Sequence, residues 1–374
     1  MGNRFGWIVL CGGLWACTAD DSATVDPDET TDGDPVPTNG GDTDLPTGDT
    51  DDPVTTPEGV PMLVAQGHGG RTVVSCDDGN TWVAEQSNDD ALRCWSDNWE
   101  PDCDHRYDSA RGITYGDGWF VATFGWGAPG AVYRSRDGVN WEETLSGTTV
   151  ADIAYGNGTF IGGDWAPWRS TDGGATWEQS QEWVLNSNAR RVSFLDIAGG
   201  LFVLENDGPL AISADNGDSW YMPPTPPGCG NETMFSGGVA AGNGVILGVS
   251  GQGEVCRSTD DGATFTAGTR IDIPYGLSSR LLWTGSEFAV WSWGSRHTST
   301  DGLNWTASAT NASVELEAVT QTVDGTFIGV NGWYEDQDFY RSSDGVDWQA
   351  VSGFGSHPLY DMTAGMGEAS AVCP

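Results

Sequence analysis

The residues of this sequence best suited to hold a ligand are tryptophans, a tyrosine and arginines outside the long hydrophobic runs. Aromatic rings stack on the faces of sugars and peptides, and arginine fixes a partner's orientation. The candidates are Trp126, Trp165, Trp168, Trp183, Arg190, Arg191, Trp291, Trp293, Arg296, Trp333 and Tyr334. The alternative for any single tryptophan is packing between elements of the fold. The pattern predicts a recognition surface and assigns no residue a catalytic role.

Metal chemistry has two weaker candidates. Cys94, Cys103 and His105 are zinc-type ligands, but they lack the second close-spaced pair of a structural zinc site. Acidic residues are dense in 18–58 and in 83–111, but the spacing in 18–58 does not keep the ligand order of a calcium loop. We therefore expect no metal and no cofactor.

The net charge excludes one class of partner. The chain has 54 acidic and 15 basic residues, a net charge of -39, and every basic residue is arginine. Such a surface repels phosphate backbones and anionic lipid headgroups. We expect no nucleic-acid partner and no membrane contact apart from a lipid anchor.

The candidate residues are positioned by a motif that recurs seven times, Ser-x-Asp-(x)-Gly-x-x-Trp, with Phe replacing Trp once. The copies span 75–82, 135–141, 170–177, 213–220, 258–265, 299–305 and 342–348. Their first serines are 60, 35, 43, 45, 41 and 43 residues apart. A repeat near 43 residues is the length of a four-stranded propeller blade.

A second phrase precedes six of the motifs, as in ITYGDGWFVATFG at 113–125 and IAYGNGTFIGG at 153–163. Two β-branched or aromatic runs around a Gly- and Asn/Asp-containing turn are typical of a β-hairpin. Each unit then contains strands a and b, a loop, strand c, the Asp motif as a turn, and strand d. Within that turn, Asp and Ser bond the backbone, Gly takes a positive φ, and Trp packs between strands.

The motif resembles the BNR or Asp-box repeat of sialidases, other glycoside hydrolases, sortilin-type receptors and photosystem assembly factors. The resemblance covers about 60–374 and implies an all-β, seven-bladed β-propeller of four-stranded blades. It also implies that the motif aspartates are structural and lie at the blade periphery, away from an active site. These are Asp77, Asp137, Asp172, Asp215, Asp260, Asp301 and Asp344.

Ring closure is predicted from the two ends of the repeat. The first motif follows strands b and c but no strand a, whereas residues 357–364 (HPLYDMTA) match the strand a phrase. The C-terminal strand should therefore complete the first blade and remove the open sheet edge. Among fifteen connectivities of six cysteines, we favour Cys76–Cys373 across this closure, Cys94–Cys103 and Cys229–Cys256.

The two faces of such a ring differ. The a–b turns and Asp motifs share one face, and the b–c and d–a connections share the other. The candidate aromatic and arginine residues belong to the second face, together with Arg270, Arg280, Glu205, Asp336, His68 and His297. Because function in propellers resides in loops on one face, we expect the ligand there.

The N-terminus predicts export and anchoring. One arginine and a short apolar run precede Leu14-Trp15-Ala16-Cys17, which resembles a lipoprotein signal with Cys17 as the lipidated residue. Ordinary secretory cleavage near Ala19 is the alternative. Residues 18–58 are acidic and rich in Thr, Pro and Gly, so they form a disordered linker. The predicted organisation is signal peptide 1–17, linker 18–58 and propeller 59–374, at the outer membrane or cell surface.

These observations predict a surface-tethered, non-catalytic recognition or assembly module that binds a glycan or a protein ligand as a monomer. The alternative is a glycoside hydrolase, either exo-sialidase-like or like an inverting endo-glucanase. The Arg motif typical of sialidases is missing, and Arg270-Ile-Asp-Ile-Pro274 does not replace it. A pair of carboxylates for an inverting hydrolase remains open, with Glu182, Glu205, Glu254 and Asp336 as candidates.

Overall fold

The computed structural model describes most of the chain after residue 58. The described residues are 59–67, 71–86, 110–125, 130–181, 189–205, 210–224, 229, 237–273, 277, 279–311, 316, 318–330, 339–351 and 359–374. The predicted signal peptide, Cys17 and the linker lie outside this part, so the predictions about them remain predictions. The same holds for Cys94 and Cys103.

The described ranges form seven antiparallel sheets arranged as a seven-bladed β-propeller, as predicted. Within these ranges no helix is present, and hence none that is long and apolar enough to cross a membrane. Six sheets have four strands. The fourth sheet has three, and a bridge between Ile212 and Tyr221 takes the place of its outer strand.

The first four blades follow the chain, except that blade 1 takes its inner strand from the C-terminus. Blade 1 contains β1 (Val60–Gly67), β2 (Arg71–Ser75) and β3 (Val83–Gln86). Blade 2 contains β4 (Ala110–Gly116), β5 (Trp119–Phe124), β6 (Gly130–Ser135) and β7 (Glu142–Thr148). Blade 3 contains β8 (Asp152–Gly156), β9 (Thr159–Gly163), β10 (Trp168–Ser170) and β11 (Glu178–Gln179). Blade 4 contains β12 (Arg191–Leu195), β13 (Leu201–Glu205) and β14 (Leu210–Ser213).

The remaining blades are built in the same order. Blade 5 contains β15 (Val239–Gly242), β16 (Val245–Val249), β17 (Val255–Ser258) and β18 (Thr266–Ala267). Blade 6 contains β19 (Leu282–Trp283), β20 (Phe288–Ser292), β21 (Ser295–Ser299) and β22 (Thr306–Ala309). Blade 7 contains β23 (Ala318–Gln321), β24 (Phe327–Val330), β25 (Phe339–Ser342) and β26 (Gln349–Val351), and β27 (Leu359–Gly367) returns to blade 1.

The hydrophobic core lies between successive blades rather than within one. One cluster joins Ala154 and Ile161 of blade 3 to Val192 and Phe202 of blade 4. The inner strands b are buried along nearly their whole length, because both of their faces are covered by neighbouring blades. Each blade therefore depends on the next, and the ring must be closed.

Closure occurs as predicted. Strand β27 pairs antiparallel with β1 from Val60↔Gly367 to Gly67↔Leu359. A disulfide joins Cys76 to Cys373 across a sequence separation of 297 residues. The predicted Cys229–Cys256 disulfide is also formed.

All seven Ser-Asp motifs form the same turn, which we call the Asp turn. The Ser hydroxyl donates to the Asp carboxylate at 2.8–3.0 Å in every copy. The motif Gly, always at positive φ, donates its N–H to the same Ser oxygen. Four copies hold one more residue before Gly, and that residue also has a positive φ.

Arginines of strand c donate hydrogen bonds to carbonyl groups in the Asp turn of the next blade. The contacted carbonyl oxygens lie 2.8–3.1 Å away in the pairs Arg134–Gly173, Arg169–Asn216, Arg257–Asp301 and Arg341–Asp78. Arg341 also forms an ion pair of 2.8 Å with Asp78, which connects blade 7 to blade 1. The repeated Arg-Ser of the sequence is therefore part of the scaffold.

Candidate ligand-binding site at the mouth of the central channel

One residue position of the repeat lines the channel on the loop face, which we define as the end carrying the b–c and d–a connections. In each blade the Asp-turn serine on strand c pairs with a residue of strand b, and that residue pairs with one of strand a. In blade 3 these residues are Ser170, Phe160 and Tyr155. Counting three residues back along each strand a from this partner gives the mouth position. In blades 1 to 7 it is held by Asp361, Gly112, Asp152, Arg191, Gly238, Arg280 and Ala318.

Arg280 of blade 6 crosses the channel. Its guanidinium donates to the Asp152 carboxylate of blade 3 at 3.1 Å and lies 3.6 Å from that of Asp361 in blade 1. Neither partner blade is adjacent to blade 6, so the side chain lies across the mouth. A third of the Arg280 side chain is exposed, against 1% for Asp152. Burial lowers the pKa of Arg280, but these two carboxylates outweigh it and hold the pKa above its ordinary value.

The two mouth aspartates also bond the next blade. Asp152 accepts the Val192 N–H at 3.1 Å, and Asp361 lies 3.4 Å from the Ile113 N–H. Gly112 makes room for Asp152, because a Cβ there would lie 2.0 Å from the Oδ1 atom of that carboxylate. Burial raises the pKa of Asp361 despite the charge of Arg280.

Glu205 is a buried carboxyl of the mouth whose pKa is raised. It ends β13 opposite Arg191, is 1% exposed, and accepts a hydrogen bond of 2.7 Å from the Ser193 hydroxyl. Burial raises its pKa to about 7, although the Ser193 bond and the charges of Arg191 and Arg280 oppose the shift. Glu205 therefore changes its charge near neutral pH, a property that favours a functional site over scaffold.

Three further side chains complete the cluster. Arg111 and Arg190 stand one residue before the mouth position of their blades, and Tyr360 stands one residue before Asp361. Arg111 hydrogen-bonds to Tyr360, and it interacts electrostatically with Asp152 and Arg190. Burial lowers the pKa of Arg111, and burial followed by the Arg280 charge lowers that of Arg191. We call the set Arg111, Asp152, Arg190, Arg191, Glu205, Arg280, Tyr360 and Asp361 the mouth cluster.

Several buried polar atoms at this end have no hydrogen-bond partner among the described residues. They include Asp152 Oδ1, Glu205 Oε2 and both polar side-chain atoms of Gln66. Gln66 is paired with Asp361 in the β1–β27 register, so it belongs to the same end of the channel. Buried polar groups are nearly always hydrogen-bonded. The unsatisfied atoms therefore indicate a place for a ligand or ordered water.

Two of the predicted aromatic residues lie exposed on loop-face connections. Trp165 is 42% exposed between β9 and β10, and Trp293 is 54% exposed at the tip of the β20–β21 hairpin. Trp168 lies within β10 and donates its indole N–H to Asp164 at 3.1 Å, so part of its surface is used to order that loop. Arg190 and Arg191 join the mouth cluster.

Two other candidates are placed differently from the sequence prediction. Trp291 lies within β20 rather than in a loop, is 1% exposed, and donates to the Gly345 carbonyl of the next blade at 2.8 Å. Arg296 is directed towards the same junction and pairs with Glu287 at 3.0 Å. Both pack between blades 6 and 7, so their assignment to the ligand surface was wrong. The sequence does not show which of Trp291 and Trp293 is buried, because the two tryptophans are only two residues apart in the same segment.

The other predicted positions fall outside the described residues or away from the cluster. Trp126, Trp183, Trp333 and Tyr334 are not described, nor are His68 and Asp336. His297 is buried in β21 beside two serine hydroxyls, and burial lowers its pKa. In the described part of the chain, no group of three or more His, Cys, Asp or Glu side chains could hold a metal ion.

Sequence reasoning missed Arg111, Asp152, Tyr360 and Asp361 as members of a site. The signal was present in the alignment of the strand a phrases. In them the residue three before the Tyr, Phe or Trp position changes from Gly to Asp to Arg between blades. A position that varies in charge within an otherwise regular repeat is not needed by the blade itself.

Comparisons with known proteins support the fold. No family model matches the sequence, and no curated protein matches it. Among solved structures, the virginiamycin B lyase from Staphylococcus aureus has a TM-score of 0.52 at 13% identity, over 64% of this chain and 83% of that one. YCF48 bound to D1 peptide gives 0.52 at 13% identity, over 73% and 89% of the two chains. A streptogramin B lyase gives 0.53 at 10% identity, over 68% and 86%. All three are seven-bladed propellers.

Proposed function

We propose that this protein is a recognition propeller that binds a glycan or protein ligand on the loop face, with an anionic group of the ligand held by the mouth cluster. The observation that carries the proposal is the meeting of four arginines, 111, 190, 191 and 280, at one channel mouth of a chain whose net charge is -39. Four of the 15 basic residues meet at this one place in a protein that is otherwise strongly acidic. Such a local positive charge favours the binding of an anionic group.

The charges of the cluster favour an anion. Four guanidinium groups face three carboxyls, of which Glu205 has a pKa of about 7 and is partly protonated at neutral pH. Arg280 is engaged by Asp152 and Asp361. Arg191 and Arg111 add positive charge beside it, and guanidinium groups bind a carboxylate or sulfate in a bidentate manner.

The exposed indoles supply the second part of the surface. Trp165 and Trp293 present rings to solvent on connections of blades 3 and 6. Such rings stack on sugar faces or on peptide side chains, while the charged mouth fixes orientation. This combination suits a binding module and requires no reacting group.

The fold neighbours are consistent with either binding or catalysis. YCF48 was solved bound to a D1 peptide, whereas two other neighbours are named as lyases. At 10–13% identity, they carry no site residues over to this chain. The mouth cluster is therefore the basis of the proposal.

We also propose that the propeller is held at the outer membrane or cell surface by a lipid on Cys17 through the acidic linker. Replacing Cys17 with Ser should release the protein from membranes into the soluble fraction. Continued sedimentation with membranes would exclude the lipid anchor.

The direct test is a glycan array and a pull-down with the secreted protein, comparing Arg191→Ala with Arg136→Ala. Arg136 is 46% exposed near the Asp turns, on the opposite face, where it pairs with Glu368. We expect Arg191→Ala to lose the captured ligand by tenfold or more, about 1.4 kcal/mol, and Arg136→Ala to retain it. Equal retention by both variants would move the ligand away from the mouth.

The aromatic part of the surface is tested separately. Replacing Trp165 and Trp293 together with Ala should abolish binding without unfolding the ring. Unchanged affinity would show that these indoles do not contact the ligand.

One observation keeps glycoside hydrolysis as a second candidate. Glu205, with its pKa of about 7, lies within electrostatic reach of Asp152 and the mouth arginines, and general acids of glycosidases have raised pKa values. A fluorogenic panel of sialosides and β-glucans should nevertheless give no product above a heat-killed control. Product release that disappears in Glu205→Gln would replace the binding proposal by the hydrolase.

A further inference from the structure

A cavity of about 250 Å³ opens on the Asp-turn face, between blades 7 and 1 and far from the mouth cluster along the strands. Its walls come from the N-terminal half of β1, the C-terminal half of β27, the Asp turn of blade 1 and the β23–β24 turn. They are formed by Pro61, Met62, Leu63, Cys76, Asp77, Asp78, Thr322, Val323, Asp324, Ala364 and Gly365.

The repeat shows what fills the equivalent space elsewhere. At the strand a position used above for alignment, four blades carry an aromatic ring packed on the aromatic residue of strand b. The pairs are Tyr115–Phe120, Tyr155–Phe160, Phe194–Phe202 and Trp283–Phe288, with ring centroids 4.6–5.0 Å apart. A ring is therefore the usual occupant of this position.

Each of these rings also lies on a glycine or backbone of the preceding blade. A Cβ on Gly365 would fall 2.3 Å from the Tyr115 ring, and one on Gly116 would fall 2.0 Å from the Tyr155 ring. Gly156 and Gly242 are related in the same way to Phe194 and Trp283. The gap between blades on this face is thus shaped for a flat aromatic group.

Blade 1 lacks both rings. The registers Leu63↔Ser75 and Leu63↔Ala364 place Leu63 and Ala364 at the positions of Phe120 and Tyr115. The residue of blade 7 that corresponds to the glycine is Thr322, whose hydroxyl bonds to Asp78. Two aromatic side chains are replaced by smaller ones, and both of these smaller residues line the cavity.

The rim of the cavity is acidic. Asp77 is held within its Asp turn, and Asp78 is paired with Arg341. Asp324 is exposed beside Val323 at the tip of the β23–β24 turn. Three carboxylates around one guanidinium leave the rim negative, and the whole chain adds to that field. A cationic group is favoured there and an anionic one is disfavoured.

We infer that this cavity binds a small aromatic cation, a single ring bearing an alkylammonium group, with the ring in the space left by Leu63 and Ala364 and the ammonium at Asp324. The ring reproduces the contacts that tyrosine and phenylalanine make in the sister blades. The volume of about 250 Å³ suits one ring rather than a large ligand. The site is independent of the mouth cluster.

Three probes of the same shape separate the contributions of ring and charge. They are tyramine, the neutral 4-ethylphenol, and the anionic 3-(4-hydroxyphenyl)propionate, each titrated calorimetrically into the full chain. We expect tyramine to bind best, 4-ethylphenol about tenfold more weakly, and the propionate not measurably. Equal affinity of the three, or no binding of tyramine, would overturn the inference.

Filling the cavity from within gives the matched test. Ala364→Phe restores the ring of the sister blades and should abolish tyramine binding. Ala241→Phe adds a ring at the same position of blade 5 and should leave tyramine binding unchanged. If both variants bind tyramine as the native chain does, the ligand lies elsewhere.

Ala364→Phe presses on Thr322, so a second variant protects the test from misfolding. Ala364→Phe with Thr322→Gly recreates the ring-on-glycine contact seen for Tyr115 and Gly365. It should fold and still fail to bind tyramine. Asp324→Asn should weaken tyramine about threefold without affecting 4-ethylphenol, and an equal loss for both probes would exclude the ammonium contact.

Discussion

The two faces of the ring treat their acidic residues in opposite ways. On the Asp-turn face every motif Asp accepts hydrogen bonds from its own turn, and all seven pKa values are lowered. At the mouth cluster, Glu205 and Asp361 are buried and their pKa values are raised. Hydrogen bonds favour the charged form of the carboxyl groups on the Asp-turn face, whereas burial disfavours the charged form of Glu205 and Asp361 at the mouth.

This difference separates scaffold from function. The Asp turns are identical in blades that face different surroundings, which is expected if each blade needs them to fold. The mouth position changes from blade to blade, and the mouth cluster holds two buried carboxylate oxygens, Asp152 Oδ1 and Glu205 Oε2, with no hydrogen-bond partner among the described residues, at a cost in stability. Such costs persist where a protein has a use for them.

The largest expected effect lies on the Asp-turn face, at the closure. Replacing Cys76 and Cys373 together with Ser should lower the free energy of unfolding by about 2–5 kcal/mol, because the disulfide closes a loop of 297 residues in the unfolded chain. Chemical denaturation measures the loss. The matched control replaces Cys229 and Cys256, whose separation is 27 residues. Its loss should be about 2 kcal/mol smaller, and an equal loss would deny closure a special role.

The second effect lies at the mouth and depends on pH. Since the pKa of Glu205 is raised to about 7, the folded protein keeps this carboxyl protonated up to about pH 7, whereas the unfolded chain ionises it from about pH 4.5. The free energy of unfolding therefore falls as pH rises from about 4.5 to 7. Over that window the loss is on the order of 3 kcal/mol. Glu205→Gln should abolish this slope in denaturation curves measured between pH 4.5 and 8. An unchanged slope would show that Glu205 does not titrate there.

Removing the cation that crosses the channel should cost less. Arg280→Ala leaves Asp152 buried without its partner, and we expect a loss of about 2 kcal/mol, reduced because Arg280 is a third exposed. Asp152→Asn in the same chain should recover most of the loss in thermal denaturation. Failure to recover would mean that Arg280 stabilises through packing instead of charge.

The smallest effect is expected for a single Asp turn. Burial alone would raise the pKa of Asp172, but bonds from Thr176, Ser170 and Ala175 outweigh it and lower the pKa to about 2. Asp172→Ala should therefore cost about 1 kcal/mol at pH 6. The difference should shrink as pH falls from 3.8 through 2, because the native carboxylate becomes protonated. A difference independent of pH would show that the charge of Asp172 is not involved.

Together these measurements test whether the Asp-turn face serves stability and the mouth serves ligand binding. Mutations on the Asp-turn face should change stability and leave ligand capture intact. Mutations at the mouth should change capture, and Glu205→Gln should alter the pH dependence of both. Ligand loss on mutation of an Asp turn would contradict the division between the faces.

Much of the architecture was readable in the chain because its causes are local. Ser, Asp and Gly at fixed spacing form the Asp turn through contacts within eight residues, and each turn marks one blade. Counting them predicted seven blades, and the missing first strand a predicted the pairing of β27 with β1.

What the tertiary structure alone decided is which residues of distant blades meet. Asp152, Arg280 and Asp361 are separated by 128 and 81 positions, yet they converge because each holds the mouth position of its blade and the closed ring brings these positions together. Trp291 and Trp293 are two residues apart, but Trp291 is packed because it lies within β20, whereas Trp293 is exposed because it lies in the hairpin turn that follows. Contacts within each repeat determined the blades, whereas closure of the ring determined which residues meet at the candidate site.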